Sequence, residues 1–243
     1  MRAKPEYKIV GLAILFLLCW MGYSPLASRC AAGWSDDFND GDYDGWTIFE
    51  NESNWTATNN YLQIDQGSEG GISHPSTVAY GTWSFDVKAD EDSFDGFAVD
   101  FISNDVNEVG TDHWNCYWLS FGEAIQPEGK AAAISLRYYN YSTGAVTIDS
   151  AEDPIPLAGW LHIEVTRTTA GLFSVYHNGS LIMQGAHTEM ETSELFMFWG
   201  YHQEMFDNFI VSDAPPIDSM LIVIIGVSAV VIIAVVAIFL KRR

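Results

Sequence analysis

Apolar and polar residues alternate with a period of two along the middle of the chain. Trp83, Phe85 and Val87 alternate with Thr82, Ser84, Asp86 and Lys88, and Leu161, Ile163 and Val165 alternate with His162, Glu164 and Thr166. Phe97, Val99 and Phe101 share one face, as do Ile134, Leu136 and Tyr138. Successive side chains leave a pleated strand in opposite directions, so this period predicts strands with one buried face. Val175-Tyr176 leads into His177-Asn178-Gly179-Ser180, and Leu181-Ile182-Met183 returns, which predicts a hairpin on a type I′ turn. Between Gly33 and Asp213 no stretch carries the 3.6-residue period of an amphipathic helix, and Gly, Asn and Asp clusters punctuate the strand-like runs. About a dozen strands in roughly 180 residues suit an all-β, two-sheet sandwich.

Two apolar segments break this pattern. Arg2, Lys4 and Lys8 precede the apolar run Ile9–Met21, and the small residues Ala27, Ser28, Ala31 and Ala32 follow. That order predicts a secretory signal over 1–32, with an uncleaved anchor as the alternative. Ser219–Leu240 carries no charge, is rich in Ile and Val, and is followed by Lys241-Arg242-Arg243. At about 1.5 Å per residue it is long enough to cross a bilayer as a transmembrane helix. Basic residues stay on the cytoplasmic side. The expectation is a single-pass protein of the cell membrane, with domain 33–213 outside, a stiff linker at 214–218, a transmembrane helix at 219–240 and a basic tail at 241–243. Cys19 and Cys30 fall in the leader, so Cys116 stands alone in the outer domain and stability must come from the core. Asn51, Asn54, Asn140 and Asn178 head sequons and are candidate glycosylation sites, Asn178 being best placed on its turn.

Charge narrows the partners. The chain has 11 Lys plus Arg against 32 Asp plus Glu, a formal −21. Between Gly33 and Ser219 only Lys88, Lys130, Arg137 and Arg167 oppose 31 acidic residues, a balance of −27. A nucleic-acid partner is excluded, because phosphates require basic surface. Aromatics at 14% supply a large core and argue against disorder. The acidic excess serves either solubility or a divalent cation. Asp40-x-Asp42-x-Asp44-Gly45 has the alternating oxygens and turn glycine of a calcium loop, but the twelfth position, where an EF-hand needs Glu, is Asn51. The alternative for these residues is a self-capped Asx turn.

Three segments carry a family resemblance. Asp36-Asp37-Phe38-Asn39-Asp40-Gly41-Asp42-Tyr43-Asp44-Gly45-Trp46 resembles the opening of concanavalin A-like, laminin-G-like jelly rolls. Gly159-Trp160-Leu161-His162-Ile163-Glu164-Val165-Thr166-Arg167, with Phe173–Gly179 after it, is similar to their late hairpin, and Phe206–Ser212 to their closing strand. The resemblance implies a jelly roll whose first and last strands lie side by side, and a structural calcium held by Asp37, Asp40, Asp42 and Asp44 with Asp207. That superfamily includes lectins, adhesion modules and glycosidases. The Glu-x-Asp-x-x-Glu strand of the jelly-roll glucanases is missing, since no Glu here is followed two places later by Asp. His-Glu-x-x-His and Gly-x-Ser-x-Gly are missing too, and the six His show no metal-ligand spacing.

The surplus aromatics are the strongest ligand candidates. If Tyr117, Leu119 and Phe121 face the core, Trp118 faces the other way, and if Leu136 and Tyr138 are inward, Arg137, Tyr139 and Tyr141 are outward. Trp118, Arg137, Tyr139 and Trp199 would form a platform for the apolar faces of sugars; the competing use of such rings is core and strand pairing. The functional expectation is a membrane-tethered carbohydrate-binding or adhesion module whose partners are glycans or neighbouring cell-surface proteins. The alternatives are a glycoside hydrolase with a non-standard carboxylate pair drawn from residues such as Glu123, Glu164 and Glu204, or a structural envelope protein.

Overall fold

In the computed structural model, which describes residues 33–50, 54–65, 67–89, 96–104, 115–126, 129–157, 159–200 and 203–213, the alternating segments become sixteen strands. They are β1 (Trp34–Asp36), β2 (Thr47–Glu50), β3 (Trp55–Thr58), β4 (Tyr61–Ile64), β5 (Gly70–Pro75), β6 (Gly81–Lys88), β7 (Gly96–Ser103) and β8 (Asn115–Gln126), then β9 (Gly129–Asn140), β10 (Gly144–Ser150), β11 (Ile155–Pro156), β12 (Leu161–Arg167), β13 (Leu172–His177), β14 (Ser180–Ala186), β15 (Leu195–Gly200) and β16 (Met205–Ser212). The excess over a dozen comes from pieces such as β1, β3 and β11, two to four residues long and too short to show a period. The leader, the linker residues 214–218, the apolar segment 219–240, the basic tail, Asn51, Tyr201 and His202 lie outside the described residues. Among the described residues no helix is long and apolar enough to cross a membrane.

The strands form two eight-stranded sheets with antiparallel pairing. The first runs β14-β13-β12-β6-β16-β4-β3, with β1 added beside β16. The second runs β10-β9-β8-β7-β15-β5-β2, with β11 added beside β9. Trp34 pairs with Val211 and Asp36 with Phe209, so the first and last strands of the domain are neighbours. The inner faces are filled by the residues the alternation selects: Trp83, Phe85, Val87, Ile163 and Val165 from the first sheet, and Val99, Tyr117, Leu119 and Leu136 from the second, all fully buried. Rings interlock across the gap. Phe198 stacks on Phe209 with centroids 5.5 Å apart and on Phe206 at 4.2 Å, and Trp83 meets Phe101 at 5.3 Å. Such pairs contribute about 0.5–1.5 kcal/mol each beyond the area they bury.

The β13–β14 hairpin turns as expected. Asn178 and Gly179 both have positive φ, 49° and 77°, the combination a type I′ turn demands. Cys116 is a free, buried thiol. At the end of β12 the alternation turns Arg167 inward, where it is fully buried. Its guanidinium lies 4.7 Å from the ring centres of Tyr80 and Tyr117 and 4.9 Å from that of Phe173. Nη1 donates to the Ala79 carbonyl at 3.0 Å and Nη2 to the His187 carbonyl at 3.3 Å. Burial lowers its pKa, while the neighbouring Tyr117 and Tyr80 act in the opposite sense.

Candidate functional site

β8 and β9 form the longest paired ladder of the second sheet, running from Asn115↔Asn140 to Gln126↔Gly129. Its inner positions hold Tyr117, Leu119, Phe121, Leu136 and Tyr138, so the intervening residues are carried on the outer face. Trp118 is directly opposite Arg137, and the Arg137 guanidinium lies 5.1 Å from the Trp118 ring centre. Tyr139 meets Trp118 edge-on with centroids 6.2 Å apart. Three of the four candidate residues therefore form one half-buried cluster. Trp199 is on the same face, since it pairs with Ala98 and Ala98 with Ser120, but β7 separates it from Trp118. Its ring packs instead on Phe49, 5.6 Å away. Gly71 makes that contact feasible, because a Cβ there would collide with the Phe49 ring.

The sequence did not single out Asp100. It sits in β7 between Trp118 on one side and Met197 on the other, on the same outer face, and is only 7% exposed. Burial pushes its carboxyl up to about 7, opposed by a hydrogen bond from the Cys116 thiol. Cys116 is itself raised well above the usual thiol range, first by burial and then by Asp100. The pair shares the proton-rich state of groups withdrawn from water.

The acidic opening lies beside β16. Ser35, Asp36, Asp37, Asp40, Asn208, Phe209 and Ile210 line a cleft of about 360 Å³. Asp37, Asp40 and Asp42 each cap the amide two residues ahead, at 3.2, 3.3 and 2.9 Å, so the Asx-turn geometry is present. Asp36 accepts the Trp46 indole N–H at 2.7 Å and ties the loop to the core. Asp207 is raised by burial, opposed by the Asn208 backbone hydrogen bond, and raised further by the charges of Asp86, Asp37 and Asp36. Among the described residues no group of three or more His, Cys, Asp or Glu is arranged to hold a metal ion. Asp42 and Asp44 are not among the residues lining the cleft. Three described sequon asparagines use their side chains locally. The Asn54 amide donates to the Glu69 carbonyl, Asn140 caps Ser142, and the Asn178 amide meets His177 Nε2 at 3.0 Å.

The outer face of the first sheet holds a polar chain that only strand register reveals. His162 is directly opposite Asp86, and its Nδ1 is 2.6 Å from Asp86 Oδ1. Its Nε2 is 3.5 Å from Ser84 Oγ, while the Asn208 amide donates to Asp86 Oδ2 at 2.8 Å. The order Ser–His–Asp is that of a nucleophile relay. Ser84, however, is mid-strand with β12 on one side and β16 on the other, where backbone N–H groups serve the ladders. Acyl transfer needs such groups aimed at an oxyanion. The arrangement is a polar cross-strand network.

No protein-family pattern matches the chain, and no curated protein matches it in sequence. Solved structures do match. The carbohydrate binding module CBM66 from Bacillus subtilis aligns over 68% of this chain and 93% of its own, with TM-score 0.52 and 15% identity. The Bacillus licheniformis β-glucanase aligns over 74% and 97%, with TM-score 0.54 and 13% identity. The Emp47p carbohydrate recognition domain aligns over 74% and 93%, with TM-score 0.52 and 12% identity. The domain has the concanavalin A-like jelly-roll fold. At these identities the likeness is one of fold alone, a fold that hosts both binding and hydrolysis. On this jelly roll Glu123, Glu164 and Glu204 do not converge. Glu123 pairs with Lys130 at 3.3 Å in the second sheet, Glu164 belongs to β12 of the first, and Glu204 is fully buried.

Proposed function

We propose that the domain is a carbohydrate-binding module held at the cell surface by segment 219–240, and that glycans dock on the outer face of the second sheet. The observation that carries this reading is the half-buried cluster of Trp118, Arg137 and Tyr139 on adjacent strands. Rigid aromatic walls bind the C–H faces of a pyranose at low entropic cost, and a planar cation orients its hydroxyls. Carbohydrate-binding proteins among the structural neighbours support the class of ligand. Neighbouring cell-surface proteins are the alternative partners. A broad glycan array probed with the soluble domain, followed by an assay for cleavage of bound glycans, tests the proposal. Binding without turnover is expected, and Trp118→Ala should weaken it about tenfold or more, as loss of a central aromatic anchor does. Silence on the array would overturn it.

A hydrolase is the second reading, favoured by one observation: Asp100 is held near 7 beside Trp118, the state a general acid needs. A glycosidase also requires a second carboxylate across the bond, and the cross-strand neighbours of Asp100 are Trp118 and Met197. Turnover on the array would move the protein to that class.

Calcium at the acidic opening is part of the same proposal, as a clip between the opening loop and β16. The cleft beside Asp36, Asp37 and Asp40 and the crowding of Asp207 support it. A ligand of the folded state raises the melting temperature. Melting in calcium should exceed melting in chelator, and Asp40→Ala should remove the difference. Equal melting of the native protein in both would leave the loop as a set of Asx turns.

A further inference from the structure

Arg137 is in an unusual position for a cation in this domain. Gly33–Ser219 carries 31 acidic residues and four basic ones, so a surface arginine has many candidate carboxylates. Among the described residues Lys130 pairs with Glu123, and Arg167 is buried among carbonyls and rings. Arg137 takes no carboxylate among the described residues. Its guanidinium rests on the Trp118 ring, and its Nε is buried with no hydrogen-bond partner. Its cross-strand neighbours are Trp118 on β8 and Thr147 on β10, neither of them charged.

An arginine held flat on an aromatic ring is pre-organised, and its fork matches planar or tetrahedral oxyanions. A neutral sugar hydroxyl could accept from the guanidinium but would leave the charge uncompensated in a half-buried setting, where a charge-assisted bond is worth roughly twice a neutral one. The domain's overall negative charge does not forbid an anion here. Exposed charges beyond a Debye length of about 8 Å are largely screened at physiological salt, so the nearest groups set the local field. Asp149 on the adjoining β10 accepts the Gln184 amide, and Asp100, two strands away beyond Trp118, is withdrawn from water and hydrogen-bonded to Cys116.

Resting on the glycan-binding reading above, we propose that the preferred ligand of this face is an acidic saccharide, whose carboxylate or sulfate group is taken by Arg137 while its ring lies across Trp118 and Tyr139. Uronates and sulfate esters present the same chemistry, an oxyanion fixed on a pyranose, and the test separates them.

Full-length protein purified in detergent is titrated calorimetrically with oligosaccharides of equal length: neutral β-glucans, oligogalacturonates, and sulfated galactans. Circular dichroism of each variant confirms that it is folded. At least one acidic series should bind about tenfold or more tighter than the neutral series, equivalent to about 1.4 kcal/mol. Arg137→Met should weaken the preferred acidic series about tenfold or more beyond its effect on the neutral series, erasing the preference, and Arg137→Lys should recover only part of it because the bidentate fork is lost. Preference for galacturonates alone identifies a planar carboxylate, and preference for galactans alone identifies a sulfate; either supports the inference. Neutral glucans binding as tightly as both acidic series, with Arg137→Met changing nothing, would overturn it and leave glycan binding standing. Binding of no series by folded protein would overturn the glycan reading itself, and this inference with it.

Discussion

Arg137 and Arg167 are both stacked on aromatic rings in the same jelly roll, yet their surroundings separate structure from function. Arg167 lies between three rings at the end of the core and donates to two backbone carbonyls. Both of its terminal nitrogens find acceptors within the fold, while its buried Nε has no hydrogen-bond partner. Arg137, whose Nε is likewise unpartnered, lies over one ring on an outer face, and its terminal nitrogens donate to no acceptor among the described residues. The same side-chain chemistry is a rivet where the protein supplies acceptors for the terminal nitrogens, and a hand held out where it does not. A cation over an aromatic ring is therefore not diagnostic by itself; what decides is whether the terminal Nη donors are already used.

The largest effect expected from this contrast is on stability at Arg167. Arg167→Met removes the charge but leaves the Ala79 and His187 carbonyls without these donors in a buried setting. Losses from broken buried polar networks suggest a destabilisation of about 3–5 kcal/mol in urea unfolding. A loss below about 1 kcal/mol would show that the guanidinium is not the rivet described.

Asp100 gives the next effect, with a defined sign. Its folded-state pKa of about 7 lies above the unfolded value of about 4. The folded state keeps the proton through that window while the unfolded state releases it. The contribution of Asp100 is therefore most favourable below about pH 4, falls as pH rises to about 7, and is flat beyond, a total of a few kcal/mol. Asp100→Asn should be more stable than the native protein at pH 8 and lose that advantage at pH 4. A constant difference between the two across this range would contradict the burial of an ionisable group there.

The smallest stability effect completes the comparison. Arg137→Met should change unfolding free energy by no more than about 0.5 kcal/mol, as surface substitutions away from buried networks do. A cost matching that of Arg167→Met would make both arginines structural and remove the basis for a ligand at Arg137.

The elements themselves were readable wherever one face of a strand is buried and the other is not. Trp83-Ser84-Phe85-Asp86-Val87 shows the alternation plainly, and the same alternation turned Arg167 inward. What it could not supply was Arg167's partners, because backbone carbonyls carry no sequence signal. Trp118, Arg137 and Tyr139 were brought together by a simple rule, the outward parity of two neighbouring strands. Trp199 obeys that parity too, but its ring partner Phe49 comes from β2, a strand bent by a bulge between Ile48 and Glu50. Asp100 escaped notice because its burial is made by residues of other strands. A local hint existed: Val99, Phe101 and Ile102 leave it the lone charge in an apolar run. The Ser84–His162–Asp86–Asn208 network likewise depends on register among β6, β12 and β16, a long-range property.

The central claim is that the outer face of the second sheet, at Trp118, is where a saccharide docks. A crystal structure of the protein with the oligosaccharide that binds most tightly tests it directly. The account predicts a pyranose ring packed on the Trp118–Tyr139 pair at van der Waals distance, about 4 Å, with an oxyanion or hydroxyl on the Arg137 guanidinium. A sugar bound instead on the outer face of the first sheet, near His162 and Asp86, with the Trp118 cluster bare, would contradict it.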